Sequence, residues 1–85
     1  MASYSLLIKP SAAKELEDLP LRDRQRAISK IERLATEPRP VGAEKLSGQE
    51  KYRICQGDYR ILYLINDVEA RITIVRVAHR GDAYR

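Results

Sequence analysis

Hydrophobic and polar positions divide this chain into two halves of different periodicity. Tyr4 to Lys9 (YSLLIK) is a short apolar run that stops at Pro10 and reads as a strand. Ser11 stands in the position of an N-cap for a helix that carries Ala12, Leu16 and Leu19 on one face. Pro20 breaks that helix and opens the next. From Leu21 onward Ala27, Ile28, Ile31, Leu34 and Ala35 recur at three- and four-residue steps, an amphipathic stripe that ends at Pro38-Arg39-Pro40.

After Pro40 the period falls from about 3.6 to 2. Lys51 to Cys55 alternates, with Tyr52 and Ile54 on one face and Lys51, Arg53 and Cys55 on the other. Gln56-Gly57-Asp58 supplies a tight turn, and Tyr59–Ile65 is apolar on both faces except at Arg60, as a central strand is. Asn66 to Ala70 is a polar turn, and Arg71–Ala78 is the last strand. The order β-α-α-β-β-β predicts a single α+β domain over residues 1–85. Two N-terminal helices pack on a mostly antiparallel four-stranded sheet, whose last three strands form a meander.

Composition adds constraints. With no Phe or Trp, the core must come from Leu, Ile, Val, Ala and some of the five Tyr. The net charge of +4 is uneven: residues 1–50 hold nine Lys/Arg against eight Asp/Glu, and residues 51–85 hold seven against four. A basic C-terminal half points to a polyanion, nucleic acid before membrane, with a merely solvated surface as the plainer alternative. One cysteine, Cys55, excludes an internal disulfide and a Cys-cluster zinc site. There is no secretory leader pattern and no apolar run near ~20 residues, so the expectation is a cytoplasmic protein without a membrane partner.

The candidate chemistry lies on the sheet face away from the helices. Arg53 and Arg60 flank the Gly57 turn, and Arg76, Ala78 and Arg80 share a face by two-residue spacing. The segment His79-Arg80-Gly81-Asp82-Ala83-Tyr84-Arg85 carries an imidazole, two guanidiniums and a phenol. Converging guanidiniums bind phosphate through forked hydrogen bonds and stabilise charge developing on it. Plainer readings stand beside these: Arg60 paired with Asp58 or Asp67, Arg53 and Lys51 as a solvated face, His79 as a structural side chain, Tyr84 docked on the body. No Gly-rich phosphate loop, HExxH or paired Cys/His set is present, so neither a metal nor a cofactor is expected.

The strings EKLSGQEKYRICQGDYRILYLI and IVRVAHRGDAYR resemble the RelE/ParE toxin superfamily of toxin–antitoxin systems, within it the RelE-like mRNA interferase branch. The resemblance spans essentially the whole chain. It implies a RelE-like microbial RNase fold and a ribosome-dependent, metal-independent endoribonuclease that cuts mRNA in the ribosomal A site by attack of the ribose 2′-OH. It also implies roles: Arg60 on the scissile phosphate, Arg80 in a similar acid-like role, Tyr84 stacking on the message, and Arg53 in acid/base or phosphate contact. Lys45, Lys51, Arg76, His79 and Arg85 are the expected RNA-binding residues. Cys55 and Ser47 stand where other members place basic residues, for which Lys45 and Lys51 compensate in part. The implied partners are a RelB-like antitoxin, the 70S ribosome with its mRNA, and operator DNA only through the antitoxin complex. Alternatives are a ParE-like DNA gyrase inhibitor and a non-catalytic RNA- or partner-binding module.

Overall fold

The N-terminal apolar run forms strand β1, Ser5–Ile8, and the chain enters helix α1, Pro10–Glu17, without leaving the sheet's edge. The computed structural model describes residues 3–46 and 50–81. The cap of α1 is Lys9, whose extended backbone (φ −60°, ψ 146°) precedes Pro10 at the first helical position. Proline is suited there because its missing N–H has no intrahelical partner to lose. Ser11 therefore lies inside the first turn, a correction to its expected role as N-cap.

Pro20 caps helix α2, Leu21–Leu34, as its position predicted. Ala12 and Leu16 of α1 and Ala27, Ile31 and Leu34 of α2 are buried against the sheet. Ile28 stays 38% exposed, because the buried stripe of α2 is narrower than the apolar pattern.

The remaining strands are β2 (Glu44–Lys45), β3 (Lys51–Gln56), β4 (Tyr59–Asn66) and β5 (Arg71–His79), giving the sheet order β1-β5-β4-β3-β2. Among the described residues the sheet thus has five strands where the sequence predicted four. The addition is β2, whose two residues pair with Tyr52 and Arg53 and are too few to show a period. Among the described residues all pairings are antiparallel except β1 with β5. Gly57 and Asp58 form the two-residue turn between β3 and β4, and Gly57 takes φ +61°, which a glycine reaches without steric cost.

One irregularity decides which residues face outward. Ile72 and Ile74 of β5 point into the helix-side core, so strict alternation would bury Arg76 as well. A register shift opposite Leu62/Tyr63 pairs Tyr63 with Ile74 but Leu62 with Arg76, leaving Val75 as the extra residue. The bulge reverses the parity of the strand. Val77 takes the buried position, 2% exposed, and Arg76 turns to the open face.

Candidate nucleic-acid interface

The open face is built in rows by the strand register. Lys51 lies opposite Leu64, which lies opposite Thr73; Arg53 opposite Leu62, which lies opposite Arg76; Cys55 opposite Arg60, which lies opposite Ala78. Arg53 and Arg60 are therefore diagonal neighbours on one face of the β3–β4 hairpin, close enough for long side chains to converge. Between the cations lies a small apolar floor of Leu62 and Ala78, with Leu46 and Val75 packed against it. An apolar floor lowers the local dielectric and strengthens any phosphate contact made above it.

Arg60 projects from the central strand and is only half-buried. Among the described residues its side chain makes no hydrogen bond or ion pair. The expected alternative partners are not used: Asp67 is held by Arg39 at 2.9 Å, and Asp58 makes no ion pair among the described residues. Arg53 is ion-paired with Glu44 on the neighbouring edge strand. Arg76 Nε lies 3.6 Å from a carboxylate oxygen of Glu15 on α1. The main-chain N–H of Arg80 donates to the carbonyl of Asp58 at 2.8 Å, which extends the β4–β5 ladder and fixes Arg80 beside the Gly57 turn.

Two predicted residues lie elsewhere. Lys45 pairs in register with Tyr52, on the face the helices cover, and its Nζ is 3.2 Å from Glu50. His79 is opposite Tyr59, in the parity of Val77, so its ring is on the other side of the sheet from Arg60 and Arg76. It meets the Tyr59 ring edge-on at 5.7 Å, and its Nδ1 accepts the Gly81 N–H at 3.4 Å. Ser47, Tyr84 and Arg85 fall outside the described residues. The arrangement thus brings Arg53, Arg60, Arg76 and Lys51 onto one face, anchors Arg80 at its end, and leaves Lys45 and His79 off it.

Sequence reasoning missed the two carboxylates on the arginines. Glu15 is 62 residues away from the strand it touches and carries no local signal. Glu44 sits on the two-residue strand that periodicity did not show.

The titrating groups with displaced pKa values gather at the opposite end, around Arg39. This guanidinium donates to Asp67, to Glu50 at 3.3 Å and to the Tyr52 hydroxyl at 3.0 Å, and lies 5.3 Å from the Tyr52 ring centre. The hydrogen bond from Arg39, aided by one from Tyr4, holds the Asp67 carboxyl below its ordinary range. Lys45 and Tyr52 do the same for Glu50. Displaced pKa values often mark active sites, but ion-pair networks produce them too. Here they pin the loop after α2 to the sheet. Among the described residues no three His, Cys, Asp or Glu side chains are grouped to hold a metal ion, and no helix is long and apolar enough to cross a membrane.

Fold and sequence agree on relatives with the same layout. The chain is 34% identical to the toxin RelG of Mycobacterium tuberculosis, over 96% of this chain and 97% of that protein. Its fold superposes on the toxin of the archaeal RelE–RelB complex from Pyrococcus horikoshii OT3 with a TM-score of 0.82, at 29% identity over 95% of this chain and 99% of that one. The toxin–antitoxin complex RelBE2 of M. tuberculosis gives a TM-score of 0.81 at 27% identity, over 93% and 100%. Residues 6–84 match the family model of the ParE toxin of the type II toxin–antitoxin system parDE. Similarity to these toxins thus runs along nearly the whole chain, and the chain belongs to the RelE/ParE superfamily of type II toxin–antitoxin toxins.

Proposed function

We propose that this toxin is an mRNA interferase, an endoribonuclease that cuts message in the ribosomal A site and so stops translation. The observation that carries this reading is Arg60: a half-buried guanidinium on the central strand, without an ion pair among the described residues, beside Arg53 and above an apolar floor. A guanidinium in that setting is poised for an incoming anion, and its planar fork matches a phosphate.

In this reading the ribose 2′-OH attacks the adjacent phosphorus. The bond to the 5′-oxygen of the next nucleotide breaks, giving a 2′,3′-cyclic phosphate and a free 5′-OH. The proton leaving the 2′-OH is balanced by the one taken up by the departing oxygen. Arg60 and Arg53 stabilise the charge gathering on the non-bridging oxygens, and Arg80 serves the leaving oxygen. Tyr84 stacks on the message, while Lys51, Arg76 and Arg85 hold its backbone. Lys45 and His79, on the other side of the sheet, have no part in the chemistry. RelE–RelB complexes among the structural relatives support a RelB-like antitoxin as the cognate partner of this chain. In this reading operator DNA is reached only through the antitoxin complex.

The matching family model, that of a ParE toxin, favours a second reading, inhibition of DNA gyrase. Primer extension on an in vitro translation reaction separates the two. Cuts within codons that vanish with Arg60→Ala and Arg80→Ala support the interferase. Intact mRNA together with blocked DNA supercoiling supports the gyrase inhibitor. RNA binding with neither effect leaves a non-catalytic binding module.

A further inference from the structure

β5 changes its support halfway along. Its first part is paired on both sides, by β4 and by β1, but β1 ends at Ile8 opposite Ile74. The last main-chain link on that side is Lys9 N–H to the Ile74 carbonyl at 3.0 Å. Beyond the Val75 bulge, the segment that carries Arg76 and leads to Arg80 has, among the described residues, only β4 as a strand neighbour. An edge N–H left without a partner in a half-buried setting is costly.

α1 supplies the missing partner. Ala12 and Leu16 bury α1 against the sheet and turn the intervening Glu15 to the edge of β5. One Glu15 carboxylate oxygen accepts the Val77 N–H at 2.8 Å, and the other lies 3.6 Å from Arg76 Nε. Both side chains are about one-third exposed, so the contact is partly shielded from solvent.

We infer that Glu15 is a positioning residue for the candidate site: it acts as a surrogate strand that holds the far half of β5, and through it sets the places of Arg76 and Arg80. This inference rests on the interferase reading for its catalytic consequence but not for its structural one. The charge on Glu15 is secondary, since an amide oxygen accepts the same N–H.

The test combines amide hydrogen exchange with steady-state cleavage on programmed ribosomes, using the full chain with Glu15→Ala and Glu15→Gln. In Glu15→Ala, exchange at the Val77 amide should rise about tenfold, the loss of one hydrogen bond. Exchange at the Arg80 amide, which bonds Asp58 and not Glu15, should rise with it. The kcat for cleavage should fall roughly tenfold or more with KM little changed, because misplacing a reacting group costs rate more than binding. Glu15→Gln should restore protection at both amides and most of kcat. The inference is overturned if Glu15→Ala leaves Arg80 exchange unchanged, or if Glu15→Gln is as impaired as Glu15→Ala. Absence of cleavage by the unaltered toxin would overturn the interferase reading alone, since the exchange at Arg80 still reports whether Glu15 holds the strand.

Discussion

Replacing Tyr63 with phenylalanine isolates one hydroxyl in the centre of the molecule. The Tyr63 ring is fully buried, stacks on Tyr52 at 5.7 Å, and sends its hydroxyl to the Pro38 carbonyl at 2.8 Å, tying the loop after α2 to the central strand. The phenylalanine ring keeps the stacking and loses only that hydrogen bond. The expected cost at pH 7 is about 1–2 kcal/mol, because the carbonyl loses its partner as well. In a domain of this size that lowers Tm by roughly 5–10 °C.

Alkaline pH supplies a second, signed expectation for the same variant. Burial, with a contribution from Tyr52, pushes the Tyr63 phenol up to about 12, whereas in the unfolded chain it titrates near its ordinary value of 10.0. Between these values the unfolded state gives up a proton that the folded state keeps. Stability from this group is therefore complete below pH 10 and lost as pH rises towards 12, by roughly 3 kcal/mol in all. The variant has nothing to titrate at this position, so the deficit of Tyr63→Phe should shrink above pH 10 and vanish near pH 11. Urea unfolding followed by circular dichroism, from pH 7 to 11.5 on both proteins, gives the difference directly. A variant as stable as the parent at pH 7, or a deficit that stays constant up to pH 11.5, would refute the reasoning.

Three other perturbations have definite expectations. Ile31→Ala empties a site only 2% exposed and should cost about 2–5 kcal/mol, a large part of the total stability of so small a domain, which thermal unfolding would show as a fall in Tm of roughly 10 °C or more. Arg39→Met removes the donor that depresses the Asp67 pKa. Stability from a depressed carboxylate is present above its unfolded pKa and lost as pH falls, so the acid-unfolding midpoint should move to higher pH, by a modest amount because the groups are solvent-screened. Cys55 is exposed and directly opposite Arg60, so alkylation by a bulky neutral maleimide should weaken RNA binding several-fold without lowering Tm; unaltered binding by the alkylated toxin would remove this face from the RNA interface.

What the sequence revealed depended on the range of the interaction. Pro20, the α2 stripe and the Gly57 turn are set by neighbours a few residues apart, and each appears where the pattern placed it. Ser11 does not cap α1 because Pro10 already satisfies the helix start. Arg76 reaches the open face only because Val75 is bulged out, which the spacing of Ile72, Ile74 and Val77 encodes but simple alternation does not. The pairing of Lys45 with Tyr52 and of His79 with Tyr59 depends on strand parity across the sheet. The family resemblance and residue type marked them as candidates, and register places both off the face.

The parallel pairing of β1 with β5 joins residue 5 to residue 71, nearly the whole span of the fold. The β3–β4–β5 meander closes through short turns, whereas this closure carries roughly 2–3 kcal/mol of additional chain entropy by logarithmic scaling with loop length. The meander is thus expected to assemble early and β1 to dock late. Because α1 follows β1 directly, Glu15 reaches β5 only in that last step. A chain arrested before it would already display a basic sheet able to attract RNA, yet the strand bearing Arg76 would still be loose. In the interferase reading, folding order would then separate binding from cutting, leaving the newly made toxin adhesive before it is active.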